Sequence, residues 1–568
     1  MIYRSEHPKP QFKRADWENL NGLWDFEFDF GNSGAERGMF SADAEFSKEI
    51  NVPFCPESKL SGIGYTDFID SVWYRRKINI SEARKSGRIF LHFGAVDYKA
   101  TVYINGVLVG SHVGGYSSFC FEITDYVEIG ENTLTVHAED DTRSPLIPSG
   151  KQSERYGSYG CFYTRTTGIW QTVWLEFTPK NYIRSLKYLT DASTKTLTVQ
   201  AELVGSGALK AEAFYEGRIM GSASVDENCG NAVLTLTLDE LYLWEVGKGR
   251  LYDIVFTFGD DRVESYFGMR SVGFDGFKFM LNGKSVFQRL VLDQGFYPDG
   301  IYTAPSDGEL LGDIERSKVY GFNGARLHEK VFEERFLYHC DRMGYMVWGE
   351  YPSWGLDITD ASAVAHFLPE WLEILKRDFN HPSIIGWCPF NETWDVGGRR
   401  QCDDVLRLAY LTTKAFDQTR PCIDTSGNYH VMTDVFDLHD YDASGDAIRS
   451  RYDRLFTEHT LVDKFSDRQV YDGKLPVFIS EYGGIGFMLD NNGWGYGNIP
   501  KTEEEFLKRL KDVTDAILDN KALFGFCYTQ LTDVEQECNG LYTYSRVAKF
   551  DTAKISAIFG REAEIEKN

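Results

Sequence analysis

Phe390-Asn391-Glu392 and Ser480-Glu481-Tyr482-Gly483 each close an apolar, strand-like run in the second half of the chain. Two carboxyl groups at strand tips can cleave a glycosidic bond with retention, one protonating the leaving oxygen while the other attacks the anomeric carbon. That chemistry needs the carboxyls about 5 to 5.5 Å apart, one kept protonated by its neighbour's charge and by burial, the other ionised. Each motif also has a plainer reading. Glu392 would otherwise cap a following helix beside Asn391, and Glu481 would otherwise be a strand-end acid in an ion pair. The elements that carry the two motifs decide between these readings.

From about residue 285, apolar runs alternate with amphipathic helical stretches. Eight runs are counted: SVFQRLVL, FNGARLH, GYMVWGEY, SIIGWCPFNE, PCIDTSG, VFDLHDY, PVFISEYGG and LFGFCYTQL. Eight alternations in roughly 290 residues specify a TIM barrel, whose active site forms at the C-terminal ends of the strands. Glu392 ends the fourth run and Glu481 the seventh, so the two converge from opposite sides of the mouth. No GxGxxG or Walker signature argues for a nucleotide fold.

Residues 1 to about 178 read as short alternating strands separated by turns, and Asn105-Gly106 between Tyr103-Ile104 and Val107-Leu108 is a hairpin signal. This segment is predicted to be a β-sandwich larger than an immunoglobulin domain. Residues 179 to about 272 repeat the pattern on an immunoglobulin scale. The expected division is therefore 1–178, 179–272 and 273–568, which agrees with a length of 568 residues and roughly 100 to 200 residues per domain.

The formal charge of −25 repels nucleic acid and anionic membrane surfaces. No apolar run reaches the roughly 18 residues of a membrane span and the N-terminus has no apolar signal core, so a cytoplasmic protein is expected, although a chain whose leader had been removed would read alike. The ten cysteines, Cys229 among them, show no CxxC pairing or nearby histidines, which disfavours zinc and fits reduced thiols. No cofactor is expected. Aromatic residues make up 15% of the chain; most suit sandwich cores, and some suit sugar faces.

Ten ordered motifs resemble glycoside hydrolase family 2, the group of β-galactosidases, β-glucuronidases and β-mannosidases. They begin at Leu20-Asn21-Gly22-Leu23-Trp24 and continue through Trp73-Tyr74-Arg75-Arg76, Gly168-Ile169-Trp170, Phe267-Gly268-Met269-Arg270 and Phe279-Met280-Leu281-Asn282-Gly283-Lys284. Gly321-Phe322-Asn323-Gly324-Ala325-Arg326, His381-Pro382-Ser383, Asn391-Glu392, Asp417-Gln418-Thr419-Arg420-Pro421 and Ser480-Glu481-Tyr482-Gly483 follow. The resemblance implies a jelly-roll-like sugar-binding sandwich, an immunoglobulin-like sandwich and a TIM barrel. It also implies Glu392 as acid/base, Glu481 as nucleophile and Asn391 on the sugar 2-hydroxyl. Arg326 would hold Glu481 ionised, and Tyr441 would touch it. His328, Glu350, Trp354 and His439, at strand tips, join the candidates for substrate contact.

The chain departs from the family in three places. Where β-galactosidases and β-glucuronidases carry Gly-Val-Asn-x-His after the first strand, this chain has Arg289-Leu290-Val291-Leu292-Asp293-Gln294. An acid at position 293 would accept bonds from sugar hydroxyls and repel a substrate carboxylate. The Asn-x-Lys that reads the uronate in β-glucuronidases is missing from Glu535-Gln536-Glu537-Cys538-Asn539-Gly540. The stretch Tyr159–Thr167 lacks the acid that some relatives send into the pocket; Tyr163 and Arg165 either reach the barrel mouth or belong to a structural loop. The metal ligands of β-galactosidases are not recognisable, so no metal is expected. The expectation is an exo-acting retaining β-glycosidase for a terminal neutral sugar, β-galactoside favoured, with other family 2 specificities (arabinosidase, mannosidase, glucuronidase), a non-catalytic carbohydrate binder and an inverting hydrolase as alternatives. Its partner is a glycoside or oligosaccharide, not nucleic acid or membrane, and a homo-oligomer is left open.

Overall fold

The computed structural model describes residues 2–227, 230–489 and 493–567. Cys229 lies outside them, and eight of the described cysteines, Cys55, Cys120, Cys161, Cys340, Cys388, Cys402, Cys422 and Cys527, are free thiols. Among the described residues no helix is long and apolar enough to cross a membrane.

Two antiparallel sheets of six and four strands form the first unit. Its long strands Ser71–Ile80 and Gly130–Glu139 pair along their full length. The apolar faces of both sheets meet in one buried cluster that includes Trp24, Phe26, Tyr74, Leu91 and Val136. The hairpin forms at the expected place: Ile104 pairs with Val107, and both Asn105 and Gly106 take positive φ, as a tight turn between twisted strands requires. Sheets of three and four strands make the second sandwich, where the strand Asn231–Thr237 alternates strictly between exposed and buried positions around a separate core.

The remainder is a TIM barrel. Its parallel strands are Gln288–Asp293, Gly324–Leu327, Met346–Glu350, Ile384–Cys388, Phe436–Asp440, Val477–Gly483 and Leu523–Thr529. They lie in the order fourth, third, second, first, eighth, seventh, sixth of the runs counted above. Nearly every strand residue is buried because the barrel interior covers one face and the helices the other. Helices such as Asp307–Val319 and Glu503–Leu518 start on Ser306 and Thr502, whose side chains accept the backbone N–H three residues on.

The fifth run is a correction. PCIDTSG joins the sheet through only two parallel bridges, Trp387 to Cys422 and Asn391 to Ser426. Pro421 has no N–H to donate, and the Asp424 carboxylate takes the N–H groups of Thr425, Val431 and Met432, which bends the segment out of ladder geometry. The gap is closed by side chains: Ser426 Oγ donates to Asp437 at 2.7 Å on the sixth run.

The first sandwich sends residues 142–167 across the barrel mouth. Ser149 and Gly150 donate their N–H groups to the carbonyl of Trp354, and Trp494 Nε1–H donates to the carbonyl of Gly160. Gly150 is required there. Its φ is +57°, and a Cβ would lie 2.5 Å from the Glu329 carbonyl oxygen.

Candidate active site

Glu392 and Glu481 meet. An oxygen of each, together with a ring nitrogen of His439, lies within 4.8 Å of the others. The seventh strand carries Glu481 to the mouth with 6% of its side chain exposed, whereas Glu392 stands just past the fourth strand with 20% exposed. Glu392 takes φ +40°, an uncommon conformation for a side-chain-bearing residue, and its N–H is held by the Ser426 carbonyl. Strain of this kind persists where the surroundings over-determine it.

Arg326 organises the floor. Its guanidinium, 2% exposed, donates from Nη1 to Glu481 Oε1 at 2.7 Å, from Nη2 to Asn391 Oδ1 at 2.6 Å and from Nε to Glu350 Oε2 at 2.6 Å. Binding the amide oxygen of Asn391 leaves its NH₂ with no partner among the described residues. Glu350 is a supporting group: its other oxygen faces His328 Nδ1 at 2.9 Å and accepts the Glu329 N–H. Tyr441 donates its hydroxyl to Glu481 Oε2 and stacks on Tyr496, ring centroids 3.7 Å apart.

The electrostatics separate the two carboxylates only in part. Burial raises Glu481, but His439, Arg326 and His328 outweigh it and hold the carboxylate below its ordinary range. Glu392 was expected to be held protonated. Burial does push it up, but the hydrogen bond and charge of His439, with Nδ1 2.6 Å from Oε1, and then the Lys151 charge, draw it below the ordinary value. His439 is raised: burial lowers it, and Glu481 and Glu392 more than compensate. A proton near Glu392 therefore rests on the Glu392–His439 pair as a unit.

Of the other expected residues, Asp293 and Arg165 lie elsewhere, whereas Tyr163 and Trp354 reach the site. The Asp293 carboxyl accepts the Gly295 N–H, and after burial the charges that act on it most are Asp313, on an outer helix, then Arg546 and Lys330. Leu292 pairs with Arg326 and Asp293 with Leu327, so the Asp293 side chain leaves the sheet on the face opposite Arg326. Arg165 spends its guanidinium on the carbonyls of Ser153, Arg155, Tyr156 and Thr66 and packs on Phe68. It is part of the loop's own framework. Tyr163 does cross to the barrel, donating to Glu537 and accepting from Gln294 Nε2 at 2.9 Å. Trp354 is half-buried, and its Nε1–H donates to the Asn391 carbonyl at 3.0 Å.

Four residues that sequence reasoning missed stand at the same place. Trp394 Nε1–H reaches Glu392 Oε2 at 3.4 Å, and Tyr496 backs Tyr441. Glu537 is buried and bound by Tyr163 and Asn539. Lys151 lies with Nζ 3.8 Å above the Trp354 ring. Trp394, two residues after Glu392, was readable from its position; Lys151, in a turn of another unit, carried no signal.

Glu392, His439 and Glu481 are also close enough for a metal ion. The donor set does not fit one. Both oxygens of Glu481 already accept from Arg326 and Tyr441, and the fixed guanidinium charge would oppose a cation there.

Residues 17–175 match the model of "Glycosyl hydrolases family 2, sugar binding domain", and residues 306–494 that of "Glycosyl hydrolases family 2, TIM barrel domain". The chain is 27% identical over 394 residues to a β-galactosidase of Thermoanaerobacter pseudethanolicus, which covers 65% of this chain and 50% of that protein. It is 25% identical over 566 residues to a β-glucuronidase of Streptococcus agalactiae, covering 89% and 88%. It spans 62% of the length of a further relative from Formosa agariphila. A solved β-glucuronidase from Ruminococcus gnavus shares the fold, with TM-score 0.80 over 98% of this chain and 100% of that one at 19% identity. One family's two models thus match in chain order, over the sandwich that reaches across the mouth and over the barrel that bears both glutamates, and the chain belongs to glycoside hydrolase family 2.

Proposed function

We propose that the protein is a retaining β-glycosidase in which Glu481 is the nucleophile and Glu392 the acid/base. The observation that carries this reading is the pair itself, with carboxylate oxygens within 4.8 Å, where an inverting enzyme needs about 6.5 to 9.5 Å for an intervening water. The asymmetry of the pair supports the roles. Glu481 is buried and fixed by a cation and a phenol, which suits an ionised nucleophile. Glu392 is more open, which suits a group that must reach both a leaving oxygen and a water.

In the first step, Glu481 attacks the anomeric carbon while the glycosidic oxygen takes the proton held by Glu392 and His439. Esterification then removes the Glu481 charge, one of the terms favouring a proton on Glu392, so Glu392 becomes the better base for the attacking water. Asn391, turned by Arg326, offers its NH₂ to the sugar 2-hydroxyl, a contact that strengthens as positive charge develops on the ring.

The sugar is the finer question. A neutral β-galactoside was favoured on two grounds, the acid at 293 and the missing lysine at 535–540. The ladder register puts Asp293 on the face opposite Arg326, which supports dropping the first ground against an anionic sugar. The test is turnover of 4-nitrophenyl β-galactoside, β-glucoside, β-mannoside, α-arabinoside and β-glucuronide, with proton NMR of the first sugar released. The expected first product keeps the anomeric configuration of its substrate, β from the β-glycosides and α from the α-arabinoside; an α-anomer from a β-glycoside, or no turnover of any, overturns the reading.

A further inference from the structure

Lys151 sits on the turn Pro148-Ser149-Gly150-Lys151-Gln152 of the first sandwich. The turn is clamped: Ser149 and Gly150 donate to Trp354, and the Lys151 carbonyl accepts the Tyr163 N–H. The lysine is only 6% exposed. Its ammonium has no hydrogen-bond acceptor and no carboxylate oxygen within 4.0 Å among the described residues, and its one close neighbour is the Trp354 face, 3.8 Å away. The side chain is packed, but Nζ is not among the sealed polar atoms, so its three N–H donors open onto the space in front of the glutamates and not onto protein acceptors.

The acids around it need no such partner. Glu481 is bound by Arg326 and Tyr441, and Glu392 by His439 and Trp394. Glu537 accepts from Tyr163 and Asn539, and Glu329 from Ser353 and the Trp354 N–H. Each of these carboxylates has a protein donor on both oxygens, whereas the Lys151 ammonium has no protein acceptor among the described residues. Burial lowers its pKa, but Cys161, Glu537, Glu481 and Glu329 raise it further, so it stays charged. A charged donor placed this way is available to an acceptor on the substrate. A neutral hydroxyl would be served by an amide at less desolvation cost, whereas an anionic group needs the cation to enter a pocket walled by acids.

We infer that Lys151 is a specificity-determining residue that binds a carboxylate on the substrate sugar, so that the first sandwich, not the barrel loop at 535–540, supplies uronide recognition. This rests on the retaining-glycosidase reading. It names the substrate class as β-uronides.

The experiment compares kcat/KM for 4-nitrophenyl β-D-glucuronide and β-D-galacturonide with the matching glucoside and galactoside, for the full chain, Lys151→Met and Lys151→Arg. Loss of a buried charge-assisted hydrogen bond lowers the uronide-to-neutral ratio about 100-fold in Lys151→Met, and Arg retains part of it. Calorimetric binding of D-glucuronate and D-glucose to Glu481→Gln, with and without Lys151→Met, gives a readout independent of turnover, and the melting midpoint reports folding. Equal losses on uronides and neutral glycosides in Lys151→Met overturn the inference. So does a wild-type chain that turns over neutral glycosides but neither turns over uronides nor binds glucuronate, an outcome that leaves the glycosidase reading standing. Failure on every glycoside refutes that reading instead, and glucuronate binding that depends on Lys151 would still uphold the carboxylate site.

Discussion

Arg326 Nη1 lies 2.7 Å from Glu481 Oε1 with both side chains buried, so this guanidinium joins His439 and His328 in setting the charge state of Glu481. Arg326→Met removes the cation and leaves burial, which raises the Glu481 pKa. The acidic limb of kcat/KM against pH moves to higher pH. In the wild type the depressed carboxylate stabilises the fold above its unfolded pKa, and this contribution is lost as pH falls through the folded value. The variant's deficit, about 3 to 5 kcal/mol for a broken buried pair, is therefore widest near neutrality and shrinks on acidification. Thermal melts at pH 7 and pH 4 measure both; an unchanged acidic limb would refute the coupling.

Azide separates the two glutamates. Glu392→Ala lowers kcat by about 10²- to 10⁴-fold for a substrate that needs acid assistance. Azide then attacks the glycosyl-enzyme and yields the β-glycosyl azide, by two inversions. With Glu481→Ala, azide attacks the substrate directly and yields the α-glycosyl azide. If the two products are exchanged, so are the roles.

His439 is expected to set the alkaline limb. Under the proposed roles the catalytic proton rests on the Glu392–His439 pair, whose histidine is raised. In His439→Asn that proton depends on the Glu392 carboxyl alone, whose ordinary value is far lower. The alkaline limb of kcat/KM consequently shifts to lower pH. A limb that stays in place would mean that His439 has no part in holding the proton.

Tyr441→Phe removes the phenol from Glu481 but keeps the stack on Tyr496. A lost hydrogen bond to a charged group corresponds to about 10- to 100-fold, which should fall on kcat with little change in KM, as for a contact that matters to the displacement steps. The melting midpoint should move less than in Arg326→Met. A pure KM effect would assign Tyr441 to sugar binding instead.

Much of this protein is readable along the chain. Alternating runs, the Asn105-Gly106 turn and the switch to helical spacing near residue 285 are local properties, dictated by pleat geometry and turn chemistry, and they define two sandwiches and a barrel. Glu392 and Glu481 were legible because each follows an apolar run directly, and a strand tip in a barrel points to the mouth. Asp293 also ends a strand, yet its place in the ladder, one residue past the Leu292–Arg326 pair, turns its side chain to the face opposite Arg326. Successive side chains point to opposite faces, so the face of the wall is set by ladder register and not by residue type. The fifth run lost its ladder to the Asp424 side chain, a competition between partners that no apolar pattern records. Lys151 is the extreme case. Nothing in a Ser-Gly-Lys-Gln turn marks a pocket residue; only the packing of one unit on another, at a glycine with room for no Cβ, brings that ammonium to the glutamates. Local chemistry therefore determined the fold and the proposed reacting pair, while the group proposed to choose the substrate was decided by contacts between segments about 200 to 330 residues apart, which only the tertiary structure brings together.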